Sequence, residues 1–324
     1  MPVVEAVGLT KTFRSGRGRS ARTVQAVAGI DFSVDAGERL AYIGPNGAGK
    51  STSIKILTGI LHPDEGRADV LGLVPWKQRR RLALEIGTLF GQRSQLWLEL
   101  PARESLWLLG AIYRLGGGRT IRRIDELGDL LDARDLFDVP VRNLSLGQRM
   151  RCELAASLLH EPKVLFLDEP TIGLDLVAKQ RFRDLIVRLN EETGTTLFLT
   201  SHDVSDIEQV ARRVIVINHG RLIYDDKVSS MRRSLLKTKL LEVRFDDRVD
   251  DVNVEGVEVV KGSGAGYKLR VDTERRPIRY VLDDLLDRYH VADISVLDPP
   301  LEDVITEIYE AREPALRHSA EPPP

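Results

Sequence analysis

Apolar and polar positions alternate from Val3 through Val7 to Leu9 and again from Val24 to Val34, after which Asp35 to Glu38 turns the chain. A period of two over these runs predicts antiparallel strands. Between them, Arg14 to Arg22 is a Gly/Ser/Arg stretch, read as a solvated insertion; contact with phosphate or lipid head groups is the alternative, and no role is assigned. Residues 39–43 (RLAYI) form a short buried strand that leads into a Gly-rich segment and the amphipathic run Ile54 to Ile60. Three tetrads, Val164–Leu167, Thr196–Leu199 and Val214–Ile217, read as buried strands separated by helical patterns, which predicts a parallel α/β sheet. From Pro101 to His160 leucines recur at helical spacing with no strong strand, interrupted by Gly116 to Gly118 and Pro140. An inserted helical subdomain over about residues 100–160 is expected.

Beyond Asp226 the composition shifts to a basic helical stretch, Met231 to Lys239, and then to short alternating runs. Leu241–Phe245, Val257–Val260 and Tyr267–Val271 predict strands, residues 262–266 (GSGAG) a turn, and Pro277–Tyr289 a helix. The expected organisation is a first domain over 1–225, a linker over 226–240, a small α+β domain over 241–312, and a tail over 313–324 with too little apolar content to pack.

The 324 residues, 42% apolar and 30% charged, suit a soluble protein of about two domains. A formal net charge of −2 supplies no global field for nucleic acid, so an anionic ligand must be held locally. The single cysteine, Cys152, excludes an intramolecular disulfide and a Cys-cluster zinc site and favours a reducing compartment. No secretory signal is read at Met1 to Glu5, and the longest uncharged stretches are about half the roughly 20 residues a membrane span needs. A cytoplasmic protein is expected.

Residues 44–51 (GPNGAGKS) match G-x-x-x-x-G-K-S between a strand and a helix. Small residues let successive backbone N–H groups converge on phosphate oxygens at a helix N-terminus, Lys50 adds a point charge, and Ser51 is placed for magnesium. At the end of the strand 164–167, Asp168 would orient magnesium and its waters, and Glu169 would polarise the water that attacks a γ-phosphate. His202, after the strand 196–200, could donate to that phosphate, although on its own a structural histidine is the simpler reading.

Taken together, Gly44 to Thr52, Gln92, Leu144 to Gln148, Leu165 to Pro170, Gly173 to Asp175 and Thr200 to His202, in this order, resemble the ATP-binding subunits of ABC transporters over about residues 3–225. The resemblance implies an α/β fold, the P-loop NTPase ABC cassette: a mostly parallel core sheet, an antiparallel β subdomain and an inserted helical subdomain. To this the chain adds the small C-terminal α+β domain. It implies ATP and Mg2+ as ligands. Gly44, Pro45, Asn46, Gly47, Ala48, Gly49, Lys50, Ser51 and Thr52 would bind ATP, and Phe13 would stack on adenine unless it is simply core. Ser51, Gln92 and Asp168 would surround magnesium, the last through water, with Glu169 as general base and Lys50, Gln92 and His202 acting beside it. Gln95 competes with Gln92, which the spacing to Leu96 and Trp97 favours.

Leu144, Ser145, Leu146, Gly147 and Gln148 depart from the family's Leu-Ser-Gly-Gly-Gln at Leu146, yet Ser145 still supplies a hydroxyl and Gly147 a close backbone approach. In the family this segment completes the site of the opposite subunit, and Asp175 belongs to the loop at the dimer contact. A dimer with a second ATP-binding subunit, identical or not, is implied. So are integral membrane permease subunits, docking where Leu96, Trp97, Leu98 and Leu100 look exposed, unless these are subdomain core. No nucleic acid is expected, and the protein would sit on the inner face of the membrane through its permease. Residues 300–308 are similar to the tails of drug-resistance subunits that pair with ABC-2-type permeases, and residues 90–97 resemble the viologen-exporter branch, which implies export. The competing class is a soluble ABC ATPase acting on ribosomes, nucleic acid or a protein complex. The last hundred residues fit a dimer brace, a regulator or a permease contact.

Overall fold

A computed structural model describes residues 2–15, 22–91, 93–235, 238–306 and 308–309. It divides into two units, residues 1–225 and 226–324. In chain order the first begins with β1 (Pro2–Ser15), β2 (Arg22–Asp35), β3 (Arg39–Ile43), α1 (Lys50–Leu57), β4 (Glu65–Val70), α2 (Arg79–Leu82) and β5 (Ile86–Phe90). Helices α3 (Ala102–Ile112), α4 (Gly117–Leu130) and α5 (Leu146–Leu158) follow. Then come β6 (Val164–Asp168), α6 (Leu176–Thr193), β7 (Thr196–Thr200), α7 (Val204–Val210), β8 (Arg213–Asn218) and β9 (Arg221–Lys227).

The core sheet has the order β5-β6-β7-β3-β8-β9, and its β5-β6, β6-β7, β7-β3 and β3-β8 pairs are parallel. Alternation along the strands divides their side chains between two cores. Leu165 and Leu167 of β6 and Leu197 and Leu199 of β7 join the core shared with α3 to α6, whereas Phe166 and Phe198 face the opposite core with Tyr42, Ile54 and Ile217. Two-sided burial of this kind is why these strands read as continuous apolar runs. A separate antiparallel sheet, β2-β1-β4, packs its alternate residues Val4, Ala6 and Leu9 into that second core.

Two strands, one in each of these sheets, escape the hydrophobic pattern. β4 (EGRADV) buries only Ala68 and Val70, and β5 carries Gly87 as its second residue, where a Cβ would lie 2.5 Å from the Ser157 carbonyl oxygen. The close approach of α5 therefore demands the residue that weakens the strand signal.

The second unit contains α8 (Val228–Leu235), β10 (Thr238–Val249), β11 (Val257–Asp272), α9 (Ile278–Arg288) and β12 (Val291–Leu297). β10 lies between β11 and β12 in an antiparallel sheet. Leu241, Val243 and Phe245 point to one face, against Val281 and Leu285 of α9, while Glu242 and Arg244 point away. One expectation is corrected here. Residues 226–240 are not a linker: β9 ends at Lys227, α8 begins at Val228, and Val228 and Met231 are buried. Residues 262–266 do turn the chain: Gly264 stands at φ +66°, and a Cβ on Gly262 would lie 2.9 Å from Cα of Tyr267, so β11 folds back on itself there. The tail over 313–324 and residues 16–21 of the Arg-rich stretch lie outside the described residues. Among the described residues, no helix is long and apolar enough to cross a membrane.

Candidate functional site

A cavity of about 940 Å3 opens where β3 and β6 end, lined by the loop 44–52 and by Asp168, Glu169 and His202, with Phe13 and Arg93 also on its walls. Its floor is the start of α1. Gly49 caps that helix at φ +111°, and a Cβ there would lie 2.2 Å from the carbonyl oxygen of Ala26 on β2, so both conformation and space require glycine. No side chain caps α1, which leaves first-turn N–H groups and the positive end of the helix dipole for an external acceptor.

Lys50 is buried, and its ammonium donates to the carbonyl oxygens of Gly44 at 2.6 Å and Pro45 at 3.3 Å. It also lies 3.7 Å from Oε1 of Glu169. The Ser51 hydroxyl donates to Oδ1 of Asp168 at 3.2 Å. Thr200 donates to the same oxygen at 2.6 Å and accepts the Glu169 backbone N–H at 3.1 Å. Glu169 stands at φ +54°, a left-handed conformation that costs a non-glycine residue about 1–3 kcal/mol. The Thr200 carbonyl, which also accepts the Glu169 N–H at 3.1 Å, helps to hold it there. The other Glu169 oxygen, Oε2, meets Nδ1 of His202, whose side chain is otherwise largely exposed.

These groups sort by chemistry. A helix N-terminus, a buried ammonium and a glycine-lined loop fit a chain of phosphates. The Ser51 hydroxyl and the Asp168 carboxylate offer hard oxygen donors that fit Mg2+ with phosphate and water completing its shell. Among the described residues no cluster of three or more His, Cys, Asp or Glu is placed to hold a metal ion. Glu169, between Lys50 and His202, faces the cavity as a carboxylate able to orient water.

Gln92 lies outside the described residues. Its competitor Gln95 is turned away from the cavity: its side-chain amide donates to Thr88 O at 2.7 Å, and its backbone N–H donates to Oε2 of Glu153 at 2.9 Å. Leu96 is buried in the helical core, correcting its reading as exposed, whereas Trp97, Leu98 and Leu100 are exposed. Burial pushes the Cys152 thiol up to about 12 and makes it an inert core residue.

Leu144, Ser145, Leu146, Gly147 and Gln148 do not line this cavity. They begin α5 with a capping box, Gln148 N–H donating to Ser145 Oγ at 3.3 Å and Ser145 N–H to Gln148 Oε1 at 2.9 Å. A Cβ on Gly147 would lie 2.9 Å from that of Ala178, and one on Gly173 would lie 3.2 Å from Cδ2 of Leu146. The start of α5 is thus packed on the start of α6, whose N-cap Asp175 accepts the Ala178 N–H at 2.8 Å. Leu146 fills this contact, which accounts for an apolar side chain where the resembled family has glycine.

Sequence reasoning missed the part played by Thr200. Aligning the tetrads 164–167 and 196–199 as neighbouring parallel strands places Asp168 opposite Thr200, the register observed, so the signal lay in the pairing of two strands.

The ABC transporter family model matches residues 27–172. Over 269 residues the chain is 36% identical to the daunorubicin resistance ATP-binding protein DrrA3 of Streptomyces coeruleorubidus, covering 81% of this chain and 80% of that protein. This chain belongs to the ABC transporter ATP-binding proteins. Another member, the daunorubicin/doxorubicin resistance ATP-binding protein DrrA of Streptomyces peucetius, is 32% identical over 93% of this chain and 90% of its own length. Among solved structures, the dimeric ABC cassette MJ0796 bound to ADP and Pi superposes with a TM-score of 0.62 at 26% identity, covering 69% of this chain and 98% of that one. As an ABC transporter subunit the chain binds and hydrolyses ATP, in a P-loop NTPase fold with a parallel core sheet and an antiparallel subdomain.

Proposed function

We propose that two copies of this chain close on two ATP molecules at the cytoplasmic face of a membrane and drive export of a drug-like compound through a separate ABC-2-type permease. The observation that carries the dimer is that Ser145 and Gly147 stand at a helix N-terminus beside Asp175 yet outside their own cavity. Such a phosphate-binding end without a local ligand suits the nucleotide of a second subunit. Support for a permease comes from Trp97, Leu98 and Leu100, three large apolar side chains exposed in one short segment after β5. The drug-resistance names of the relatives support export.

Within each site, the loop 44–52 and Lys50 hold the phosphates, and Phe13 presents an exposed ring for the base. Mg2+, held by Ser51 and Asp168 and, by resemblance, Gln92, would neutralise phosphate charge. Glu169 orients the attacking water and takes its proton. His202 keeps Nδ1 on the carboxylate; the imidazolium alone can donate there and to phosphate from Nε2 at once. Signature groups of the partner subunit complete the electrostatic cage.

Tagged Glu169→Gln protein, captured from detergent-solubilised native membranes with Mg-ATP, tests the reading. Co-purification of a polytopic permease, lost when Trp97 and Leu98 are changed to serine, is the expected result. Recovery of ribosomes or soluble partners alone would overturn the transport coupling and leave the ATP site standing.

A further inference from the structure

Beneath the cavity lies a buried polar network centred on Asp206 of α7, which is 1% exposed. Its Oδ2 accepts the hydroxyls of Thr171 and Ser201, each at 2.6 Å, and its Oδ1 accepts Nε of Arg183, also at 2.6 Å. Arg183, 3% exposed, reaches Asp203 Oδ2 at 3.2 Å, where Lys179 donates at 2.6 Å. One carboxylate therefore ties together three segments. Thr171 follows Glu169 by two residues, Ser201 precedes His202, and Arg183 lies on the helix capped by Asp175.

Stability alone gives no reason for such an arrangement. A buried ion pair is commonly replaceable by packed apolar side chains at little cost, because desolvation cancels much of its attraction. What an apolar cluster cannot supply is a directional link between separate loops. Glu169 needs that link, since its own backbone is held in a left-handed conformation next to the Thr171 loop. We infer that Asp206 is a positioning residue for hydrolysis, fixing Glu169, His202 and the Asp175 loop in one mutual geometry. It does not line the cavity and acts through Thr171, Ser201 and Arg183.

The inference rests on Glu169 and His202 acting as proposed above, so Glu169→Gln is run beside it. Asp206→Asn keeps the shape: its oxygen can still face Arg183, and its amide can donate to hydroxyls that rotate to accept. Steady-state ATPase assays on the full chain are expected to show kcat lowered about tenfold to a hundredfold, with KM and ATP affinity within about twofold of wild type. Thr171→Val, which removes one spoke, should give a smaller kcat loss of the same type, and adding it to Asp206→Asn should cost little more. A folded Asp206→Asn with wild-type kcat would overturn the proposal, as would a rise in KM at unchanged kcat. If Asp206→Asn does not fold, Thr171→Val decides by the same criterion. Wild-type turnover in Glu169→Gln with a slowed Asp206→Asn would instead overturn the assignment of the base.

Discussion

The backbone N–H of Glu169 lies 3.1 Å from the hydroxyl oxygen of Thr200, and that hydroxyl donates to Asp168. One side chain on β7 thereby sets two adjacent carboxylates at the end of β6, one turned toward the Ser51 hydroxyl and the other toward Lys50 and His202. Thr200 is fully buried, so its loss leaves groups without a partner in a dry site. Thr200→Val is expected to lower stability by about 1–3 kcal/mol and to depress kcat, with Thr200→Ser restoring both. Chemical denaturation and ATPase assays on the two variants check this.

Lys50→Ala should fail before chemistry. The ammonium is the charged donor at the phosphate loop, and charge-assisted hydrogen bonds of this type contribute about 1.5–3 kcal/mol, so ATP affinity should fall roughly tenfold or more. Equilibrium binding of a fluorescent ATP analogue measures it, and unchanged affinity would contradict the cradle assignment.

The contact between α5 and α6 is sterically tight at Gly147. Gly147→Ala would place a methyl 2.9 Å from Cβ of Ala178, which calls for a backbone shift costing about 1–3 kcal/mol. Ala178→Gly in the same chain should recover part of that loss. Thermal denaturation of the two single variants and the double variant gives the coupling directly.

Asp203 provides a pH test. Burial would raise its carboxyl, but the Lys179 hydrogen bond and the charge of Arg183 outweigh burial and hold it below the ordinary carboxylate value. A depressed carboxylate contributes stability that is present above its unfolded value and lost as pH falls through the folded one. Lys179→Met should therefore cost about 1–2 kcal/mol near pH 7, and the difference from wild type should shrink as the pH is lowered below about 4. Denaturant titrations at several pH values follow it; a gap that widened on acidification would refute the pairing.

Much of the ATP site is legible in the chain because it is local. Residues 44–52 and Asp168-Glu169 follow buried strands directly, and each buried tetrad announces its own sheet position. What escaped reading depends on partners distant in sequence. β4 and β5 carry weak patterns because polar residues and Gly87 are set by neighbouring elements. The junction at 226–240 reads as a linker because, among the described side chains of α8, only Val228 and Met231 are buried. Thr200 and Asp206 gain meaning only once β6, β7, α6 and α7 are packed.

The most direct test of the central claim is the behaviour of Glu169→Gln with Mg-ATP, followed in one preparation by ATPase assay and by light scattering coupled to size exclusion. The expected result is ATP binding close to wild type, turnover reduced at least about a hundredfold, and a stable dimer that forms with ATP and not with ADP. Turnover near the wild-type rate would contradict the role of Glu169, and a monomer at saturating ATP would contradict the closing of two copies around two nucleotides.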